Sequence, residues 1–136
     1  ARVAEKVIAL FGGSVAGVTV AAWGLTFKAG TDDLRDSPAI KILAMLHDAG
    51  ATIRAFDPTA KSAYRNYPWI EVVGTASDAT QGADVLAVLT EWPEFAHVDP
   101  TEIALGIGSR RVVDGRNVLD REVWKAAGFE YVGIGR

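Results

Sequence analysis

The sequence predicts an α/β fold of three layers, in which a mostly parallel six-stranded sheet lies between helices. Short runs rich in β-branched residues alternate with longer amphipathic stretches, which is the pattern of βα units. With 136 residues, 49% of them hydrophobic, the chain is long enough for one domain with a well-filled core. We expect the strand order 3-2-1-4-5-6, which makes the fold Rossmann-like and brings the carboxyl ends of the strands to one edge.

The predicted strands are apolar, β-branched runs bounded by turn-forming residues. In chain order they are Val18–Leu25, Thr52–Phe56, Ile70–Val73, Val85–Thr90, Arg111–Asp114 and Tyr131–Ile134. Helical stretches connect them, as parallel strands require.

The clearest helix follows the first strand. Ser37 or Asp36 caps it, Pro38 takes the first helical position and Gly50 ends it. The residues predicted to face inward, at helical spacing, are Ile40, Leu43, Leu46 and Ala49.

Two later helices also begin with an aspartate. Asp99 caps one of them, ahead of Pro100 and Glu102, and Asp120 caps the last, which Gly128 ends. The face of the last helix is predicted to hold Val123, Trp124 and Ala127.

The first ten residues also have helical spacing, at Val3, Val7 and Leu10, but no capping residue precedes them. Two glycines, Gly12 and Gly13, then break the pattern. We therefore expect residues 1–13 to be the end of a helix that begins upstream in a longer protein.

Composition excludes several kinds of chemistry. The chain has no cysteine, so disulfides, thiolate catalysis and cysteine-ligated metals are excluded. The two histidines, His47 and His97, lie far apart in the sequence and are expected on a helix surface and in a loop, with no metal site. A net charge of −3 gives no basic surface for nucleic acid, and no apolar run approaches the ~20 residues of a membrane helix. We expect a soluble, cytoplasmic protein.

Cations gather at the carboxyl edge of the predicted sheet. Lys28 and Arg35 follow the first strand, and Arg116 follows the fifth. Because the chain is acidic overall, this cluster suggests an anionic ligand, and a planar guanidinium suits a diphosphate. Phe27 and Trp92 offer flat faces on which a base stacks. The alternative is that these residues are ordinary surface cations and core aromatics.

The acidic residues near this edge each have two interpretations. Asp57 ends the second strand, where a Rossmann domain keeps a ribose-binding carboxylate, but Pro58 beside it also favours a plain turn. Asp32 and Asp33 are either an acid pair or caps for the following helix.

Neither glycine-rich phosphate motif is present after the first strand. Gly24 and Gly30 are separated by five residues, too far for G-x-G-x-x-G, and no lysine precedes Thr31 as a P-loop requires. A nucleotide must then be held chiefly by side chains.

Several motifs together carry a family resemblance. The residues after the first strand resemble the G-L-x-F-K-x-x-T-D-D-x-R-x-S-P signature of the C-terminal domain of the UDP-glucose/GDP-mannose dehydrogenase family. The resemblance extends over essentially the whole chain, and T-E-W-x-x-F is most similar to the UDP-glucose branch of the family. The matching motifs are G-L-T-F-K at 24–28, T-D-D-L-R-D-S-P at 31–38, F-D-P at 56–58, T-E-W-P-E-F at 90–95, D-G-R-N at 114–117, G-F at 128–129 and G-I-G at 133–135.

The resemblance implies an NAD-dependent enzyme that oxidises the C6 alcohol of UDP-glucose to a carboxylate by two hydride transfers, through intermediates attached to a cysteine. In this family the cysteine and the main NAD site belong to other parts of the enzyme. The resemblance therefore implies that residues 14–136 are the nucleotide-sugar (UDP) binding domain, inactive alone, and that residues 1–13 are the end of the helix that connects the domains. The family dimerises through that central helix, so a homodimeric parent is expected.

The resemblance also assigns site residues. Phe27, Lys28 and Arg116 correspond to residues that contact UDP-glucose or UDP, and Arg35 corresponds to an arginine that reaches NAD across the cleft between domains. Trp23 departs from the family, which has a smaller aliphatic residue at this position of the first strand.

Two alternatives remain. The first is a sibling dehydrogenase that acts on GDP-mannose or a UDP-N-acetyl sugar. The second is a receiver-like signalling module phosphorylated on Asp57. For that module Thr90 is suitably placed, but Asp32 and Asp33 come late, and Arg116 stands where a lysine is needed. A stable phosphorylated species would favour it.

Overall fold

The computed structural model describes residues 2–26, 34, 37–60 and 62–134, with the backbone alone at Tyr64. Helices and strands alternate along the chain, as predicted. The strands are β1 Thr19–Trp23, β2 Thr52–Phe56, β3 Ile70–Val72, β4 Val85–Val88, β5 Arg111–Asp114 and β6 Glu130–Gly133. The α-helices are α1 Arg2–Leu10, α2 Pro38–Asp48, α3 Ala76–Thr80, α4 Pro93–Ala96, α5 Pro100–Gly106 and α6 Arg121–Ala126, and a 3₁₀ turn covers Ala63–Arg65.

The six strands form one sheet in the order β3-β2-β1-β4-β5-β6, and every neighbouring pair is parallel. This confirms the predicted architecture and strand order. At the end of β1, Trp23 pairs with Phe56 of β2 on one side and with Val88 of β4 on the other. The order of the strands reverses between β1 and β4, which is where ligands bind in open sheets of this kind.

Two separate cores cover the two faces of the sheet. Along β1, Val20 and Ala22 belong to one core, and Ala21 and Trp23 belong to the other. All four are fully buried, which explains why the strand is apolar at these four consecutive positions. Helices α1 and α2 complete the first core and α3 to α6 the second, through residues that include Val7 and Leu43 in the first and Phe95, Ile103 and Trp124 in the second.

The Trp23 side chain is buried in the second core. Its ring lies 5.4 Å from that of Phe95 and 6.0 Å from that of Trp124, measured between centroids. The indole Nε1 donates to the carbonyl oxygen of Ala76 at 2.9 Å, so burial leaves no unpaired donor on this side chain. The large residue at this position therefore alters core packing rather than the edge of the sheet.

The predicted caps are confirmed. The Ser37 hydroxyl accepts from the backbone N–H of Ile40 at 3.4 Å, which selects Ser37 over Asp36 as the cap of α2. The Asp120 carboxylate accepts from the first turn of α6. Asp99 accepts from the backbone and hydroxyl of Thr101 at the start of α5, and these bonds lower the pKa of the Asp99 carboxyl.

Two residues predicted to face inward are exposed. Ala49 lies one residue beyond α2, where the chain turns toward Gly50 and the helical spacing no longer applies. Val123 is 48% exposed because α6 is a short helix that turns Trp124, and not its neighbour, toward the sheet.

The remaining differences concern element ends and short helices. β1, β3 and β4 are shorter than predicted, and β6 begins and ends one residue earlier. The helices α3 and α4, of five and four residues, were not predicted separately. Helix α1 is confirmed, with Val3 and Val7 buried, and its continuation upstream stays a prediction.

The longest helix of the described residues, α2, has 11 residues. Within that part of the chain, no helix is both long and apolar enough to cross a membrane.

Candidate functional site

The candidate site is the edge of the sheet at the carboxyl ends of the strands. Because all strands are parallel, the residues that follow them meet there. The described segments at this edge are 24–26 after β1, 57–60 after β2, 89–92 after β4 and 115–119 after β5. Around it the described residues enclose no cavity.

Asp57 ties two of these segments together. Its Oδ2 accepts from the backbone N–H of Leu25 at 2.7 Å and of Thr26 at 3.2 Å. Its Oδ1 accepts from the N–H and hydroxyl of Thr59 and from the N–H of Ala60, at 2.8 to 3.0 Å. The Asp57 side chain thus receives five hydrogen bonds and joins the end of β2 to the end of β1.

These contacts decide between the two interpretations of Asp57. The residue has no exposed surface, and both carboxylate oxygens accept bonds from the chain itself. A ribose hydroxyl or a phosphoryl group can reach this carboxylate only if the turn opens. Asp57 is therefore a structural residue, which removes the ribose contact and counts against the receiver-like alternative.

Asp114 has the same role after β5. Its oxygens accept from the N–H groups of Arg116, Val118 and Leu119 at 2.8 to 3.3 Å and from the hydroxyl of Tyr131 at 2.9 Å. Asp114 is fully buried. These bonds fix the turn that presents Arg116.

Asn117 completes this turn. It adopts a left-handed conformation, with φ of +55°, and asparagine tolerates this conformation better than most residues do. Its side-chain amide donates to the carbonyl of Ile134 at 2.8 Å and accepts from the N–H of the same residue at 3.1 Å. The chain that leaves β6 is thereby attached to the loop that carries Arg116.

Arg116 forms an ion pair with Glu91, through Nη2 and Oε1. The two residues lie in the loops that follow the neighbouring strands β5 and β4. The N–H of Gly115 donates to the carbonyl of Val88 at 2.9 Å and holds these loops side by side. The Arg116 side chain is 40% exposed and that of Glu91 is 55% exposed. An exposed pair of this kind contributes about 0 to 1 kcal/mol, so an anionic ligand can replace Glu91 at little cost.

The guanidinium of Arg116 keeps most of its donors available. It has five N–H groups, and Glu91 is its one side-chain partner among the residues described. A planar group with several available donors at a ligand-binding edge suits the oxygens of a diphosphate.

Between β1 and β4, Thr90 lies directly over Gly24. A Cβ atom built on Gly24 would lie 1.9 Å from the Thr90 hydroxyl oxygen, so only glycine fits below this side chain. Thr90 is 3% exposed, and its hydroxyl has no hydrogen-bond partner among the described residues. Thr90 is therefore packed against the end of β1, at the point where the strand order reverses.

The other predicted contact residues lie outside the described residues. These are Phe27, Lys28, Arg35, Asp32 and Asp33. Whether Lys28 and Arg35 meet Arg116 stays a prediction.

The chain on both sides of these residues is anchored at the candidate edge. Thr26 is bound to Asp57, and the Ser37 hydroxyl donates to the carbonyl of Leu25 at 2.6 Å. The segment that carries the predicted contacts therefore leaves and rejoins the sheet at the end of β1.

Trp92 is placed differently from the prediction of an open stacking face. It is partly buried and packs against the second core, and its indole Nε1 is buried with no acceptor in the described part of the chain. The histidines lie where they were expected: His47 is exposed on α2 and stacks on Trp69 at 4.9 Å, and exposed His97 follows α4. The described residues include no group of three potential metal ligands.

Sequence analysis included Glu91 and Asp114 only as members of motifs and considered Thr90 only for the receiver-like module, so it gave none of the three a role in this site. A signal for Asp114 existed, since an aspartate directly after an apolar strand has the same placement as Asp57. The pairing of Glu91 with Arg116 depends on the separation of two loops in space, which spacing along the chain does not give.

The described residues do not fit an NAD pyrophosphate on their own. The connection from β1 to α2 runs from residue 24 to residue 37, and Ser37 caps the helix N-terminus with its own side chain. The tight glycine turn that brings a helix N-terminus to a pyrophosphate is absent from the sequence of this connection.

Known proteins resemble this chain along nearly its whole length. Residues 21–121 match the model of the UDP-glucose/GDP-mannose dehydrogenase family, UDP binding domain. The UDP-glucose 6-dehydrogenase of Rhizobium meliloti (strain 1021) is 40% identical over 135 residues, which cover 97% of this chain and 30% of that protein. The enzyme of the same name from Rickettsia prowazekii (strain Madrid E) is 38% identical over 133 residues, which cover 96% of this chain and 31% of that protein.

Solved structures of dehydrogenases also superpose on this chain along nearly its whole length. The UDP-glucose dehydrogenase of Pyrobaculum islandicum superposes with a TM-score of 0.76 at 27% identity, over 97% of this chain and 28% of that one. An NDP-N-acetyl-D-galactosaminuronic acid dehydrogenase from Methanosarcina mazei Go1 gives 0.83 at 26% identity, over 99% of this chain and 28% of that one. The chain spans about 30% of the length of these relatives. It belongs to the UDP-glucose/GDP-mannose dehydrogenase family and corresponds to the UDP binding domain of that family.

Proposed function

We propose that this chain binds the nucleotide part of UDP-glucose for an NAD-dependent UDP-glucose 6-dehydrogenase. The observation that carries the proposal is the identity of 38 to 40% to enzymes of that name over nearly the whole chain. The exposed guanidinium of Arg116 at the carboxyl edge of the sheet supports it, because this group suits a diphosphate.

In this proposal the domain contributes orientation. The chain holds no cysteine for the covalent step, so the oxidation of C6 belongs to other parts of the enzyme. Phe27, Lys28 and Arg116 hold the UDP moiety, and this fixes the distant C6 alcohol for hydride transfer. NAD accepts the hydride when it is bound. From this chain only Arg35 would reach it, so the domain alone is expected to be inactive.

The remaining parts of the proposal rest on the family resemblance. Residues 1–13, which include α1, form the end of the helix that connects the domains, and residues 14–136 form the UDP-binding unit. The parent enzyme is a homodimer through the central helix, and it works in the cytoplasm.

The proposed contacts predict a loss of affinity when either cation is removed. Arg116→Ala and Lys28→Ala should each weaken binding of UDP by about 1.5 to 3 kcal/mol, as expected when a charge-assisted hydrogen bond is lost. Isothermal titration calorimetry with UDP measures this effect. Arg121→Ala, at an exposed position of α6, serves as the control and should bind UDP as the unaltered chain does. Equal affinity of all the variants would contradict the assignment.

A sibling activity is the second candidate. The dehydrogenase from Methanosarcina mazei Go1, whose name specifies an N-acetyl sugar acid, superposes on this chain with a TM-score of 0.83. Titration with UDP and with GDP separates the two bases. Tighter binding of GDP would favour a GDP-sugar enzyme over the proposed one. Competition between UDP-glucose and UDP-N-acetyl sugars in the parent enzyme then separates the sugars.

A further inference from the structure

The segment that follows β4 carries two buried polar atoms without partners. They are the hydroxyl oxygen of Thr90 and the indole Nε1 of Trp92, and neither has a hydrogen-bond partner within the described part of the chain. Native proteins rarely leave buried polar groups unpaired, so each such group calls for an explanation. Two of them within three residues single out this segment.

The position of Thr90 distinguishes it from an ordinary core threonine. The last ladder bond between β1 and β4 runs from the N–H of Leu89 to the carbonyl of Trp23 at 2.9 Å. The N–H of Gly24 continues the ladder with β2 and donates to the carbonyl of Phe56 at 2.8 Å. The N–H of Leu25, which would continue the ladder with β4, donates instead to the Asp57 carboxylate at 2.7 Å. β1 and β4 therefore separate after Gly24, and the Thr90 side chain lies against Gly24 at this point.

The chemistry of the neighbouring groups indicates what kind of ligand would satisfy this hydroxyl. Indole Nε1 can only donate a hydrogen bond, and the guanidinium of Arg116 only donates as well. Glu91, the residue next to Thr90, holds that guanidinium at the same edge of the sheet. A ligand that reaches these groups must bring acceptor oxygens, and the positive charge of Arg116 favours anionic ones.

We propose that Thr90 is a ligand-binding residue, whose hydroxyl donates a hydrogen bond to a diphosphate oxygen of the nucleotide. This inference rests on the proposed function, and it adds a contact that neither the motifs nor the family resemblance assigned. The hydroxyl is shielded from water, so a ligand oxygen reaches it when the side chain rotates about its Cα–Cβ bond toward the edge of the sheet.

A pair of variants isolates the hydroxyl. Thr90→Ser keeps it and Thr90→Ala removes it, and both lack the methyl group, so both fit over Gly24. We expect Thr90→Ser to bind UDP within about threefold of the unaltered chain, and Thr90→Ala to bind about tenfold more weakly than Thr90→Ser, as for a hydrogen bond to a charged group. Isothermal titration calorimetry with UDP measures both.

The thermal stability of the same variants tests whether the hydroxyl is unpaired in the absence of nucleotide. Removing an unpaired buried hydroxyl relieves a desolvation cost, so without UDP the melting temperature of Thr90→Ala should equal or exceed that of Thr90→Ser. Thr80 provides the matched control, because it is also fully buried and its hydroxyl donates to the carbonyl of Ser77 at 2.9 Å. There we expect the opposite order, with Thr80→Ala melting below Thr80→Ser and UDP affinity unchanged.

The outcomes separate this inference from the proposed function. If the unaltered chain binds UDP and both Thr90 variants bind it equally well, Thr90 is not a ligand-binding residue and the proposed function stands. Suppose instead that the melting temperature of Thr90→Ala lies below that of Thr90→Ser by as much as Thr80→Ala lies below Thr80→Ser. The Thr90 hydroxyl then stabilises the folded chain itself, and the inference is overturned. If the unaltered chain binds no UDP, the proposed function fails and this inference fails with it.

Discussion

Replacing Asp57 with alanine is expected to lower the free energy of unfolding by about 4 kcal/mol. The carboxylate accepts five hydrogen bonds, and the N–H groups of Leu25, Thr26 and Ala60 that donate to it are buried. Each buried donor that loses its acceptor costs about 1 to 3 kcal/mol, and water can replace Asp57 most easily at exposed Thr59. Because small domains are stable by about 5 to 15 kcal/mol, such a loss removes much of the stability.

Urea unfolding measures this change from the urea concentration at the midpoint of the transition and from the slope of the unfolding free energy against urea concentration. Asp48→Ala is the matched control, since Asp48 is an exposed carboxylate at the end of α2 and should change stability by less than about 0.5 kcal/mol. Asp57→Asn should fall between the two, because the amide keeps one acceptor oxygen and turns a donor toward the other N–H groups. A loss below about 1 kcal/mol for Asp57→Ala would show that these bonds do not hold β1 and β2 together.

Replacing Gly24 with alanine is expected to cost about 3 to 5 kcal/mol, for two reasons that can be separated. The backbone has φ of +101°, where any residue with a Cβ is strained by about 1 to 3 kcal/mol. The new Cβ also meets three atoms of Thr90, at 1.9, 2.8 and 2.9 Å, so one of the two loops must move.

Gly13 isolates the first of these effects. Its φ is +102°, almost the same as that of Gly24, but a Cβ built there meets no atom within 4 Å. Gly13→Ala should therefore report backbone strain alone, and the additional loss in Gly24→Ala should report the collision with Thr90. Thermal unfolding of the two variants gives the comparison. Equal losses of stability in Gly24→Ala and Gly13→Ala would mean that the loop after β4 moves to accommodate the new Cβ at no cost in free energy.

The sheet could be predicted from sequence because its strands are short β-branched runs bounded by turn residues. For β2 and β5 even the ends agree, since charged or proline-containing turns follow Phe56 and Asp114 directly. β1 ends earlier than its apolar pattern because the conformation of Gly24 turns the chain away from β4. Helices α3 and α4 were missed because four or five residues are too few to show helical spacing.

The site was predictable only in part. Strand order alone placed Arg116 at the carboxyl edge, because any residue directly after a parallel strand lies there. The role of Asp57 was left open, since sequence does not reveal how many N–H groups converge on a carboxylate. The unpartnered hydroxyl of Thr90 was equally hidden, because it depends on two loops that are 66 residues apart in the chain and stacked in space.

The two buried aspartates at the ends of β2 and β5 have a further consequence for protein engineering. Both bind chiefly the backbone of the edge segments: Asp57 holds the N–H groups of Leu25 and Thr26, and Asp114 holds that of Val118. Backbone anchors do not depend on which side chains the intervening loops carry. A chimera that takes residues 27–36 from another member of the family would keep the Asp57 anchor, so this segment can be exchanged without redesigning the scaffold.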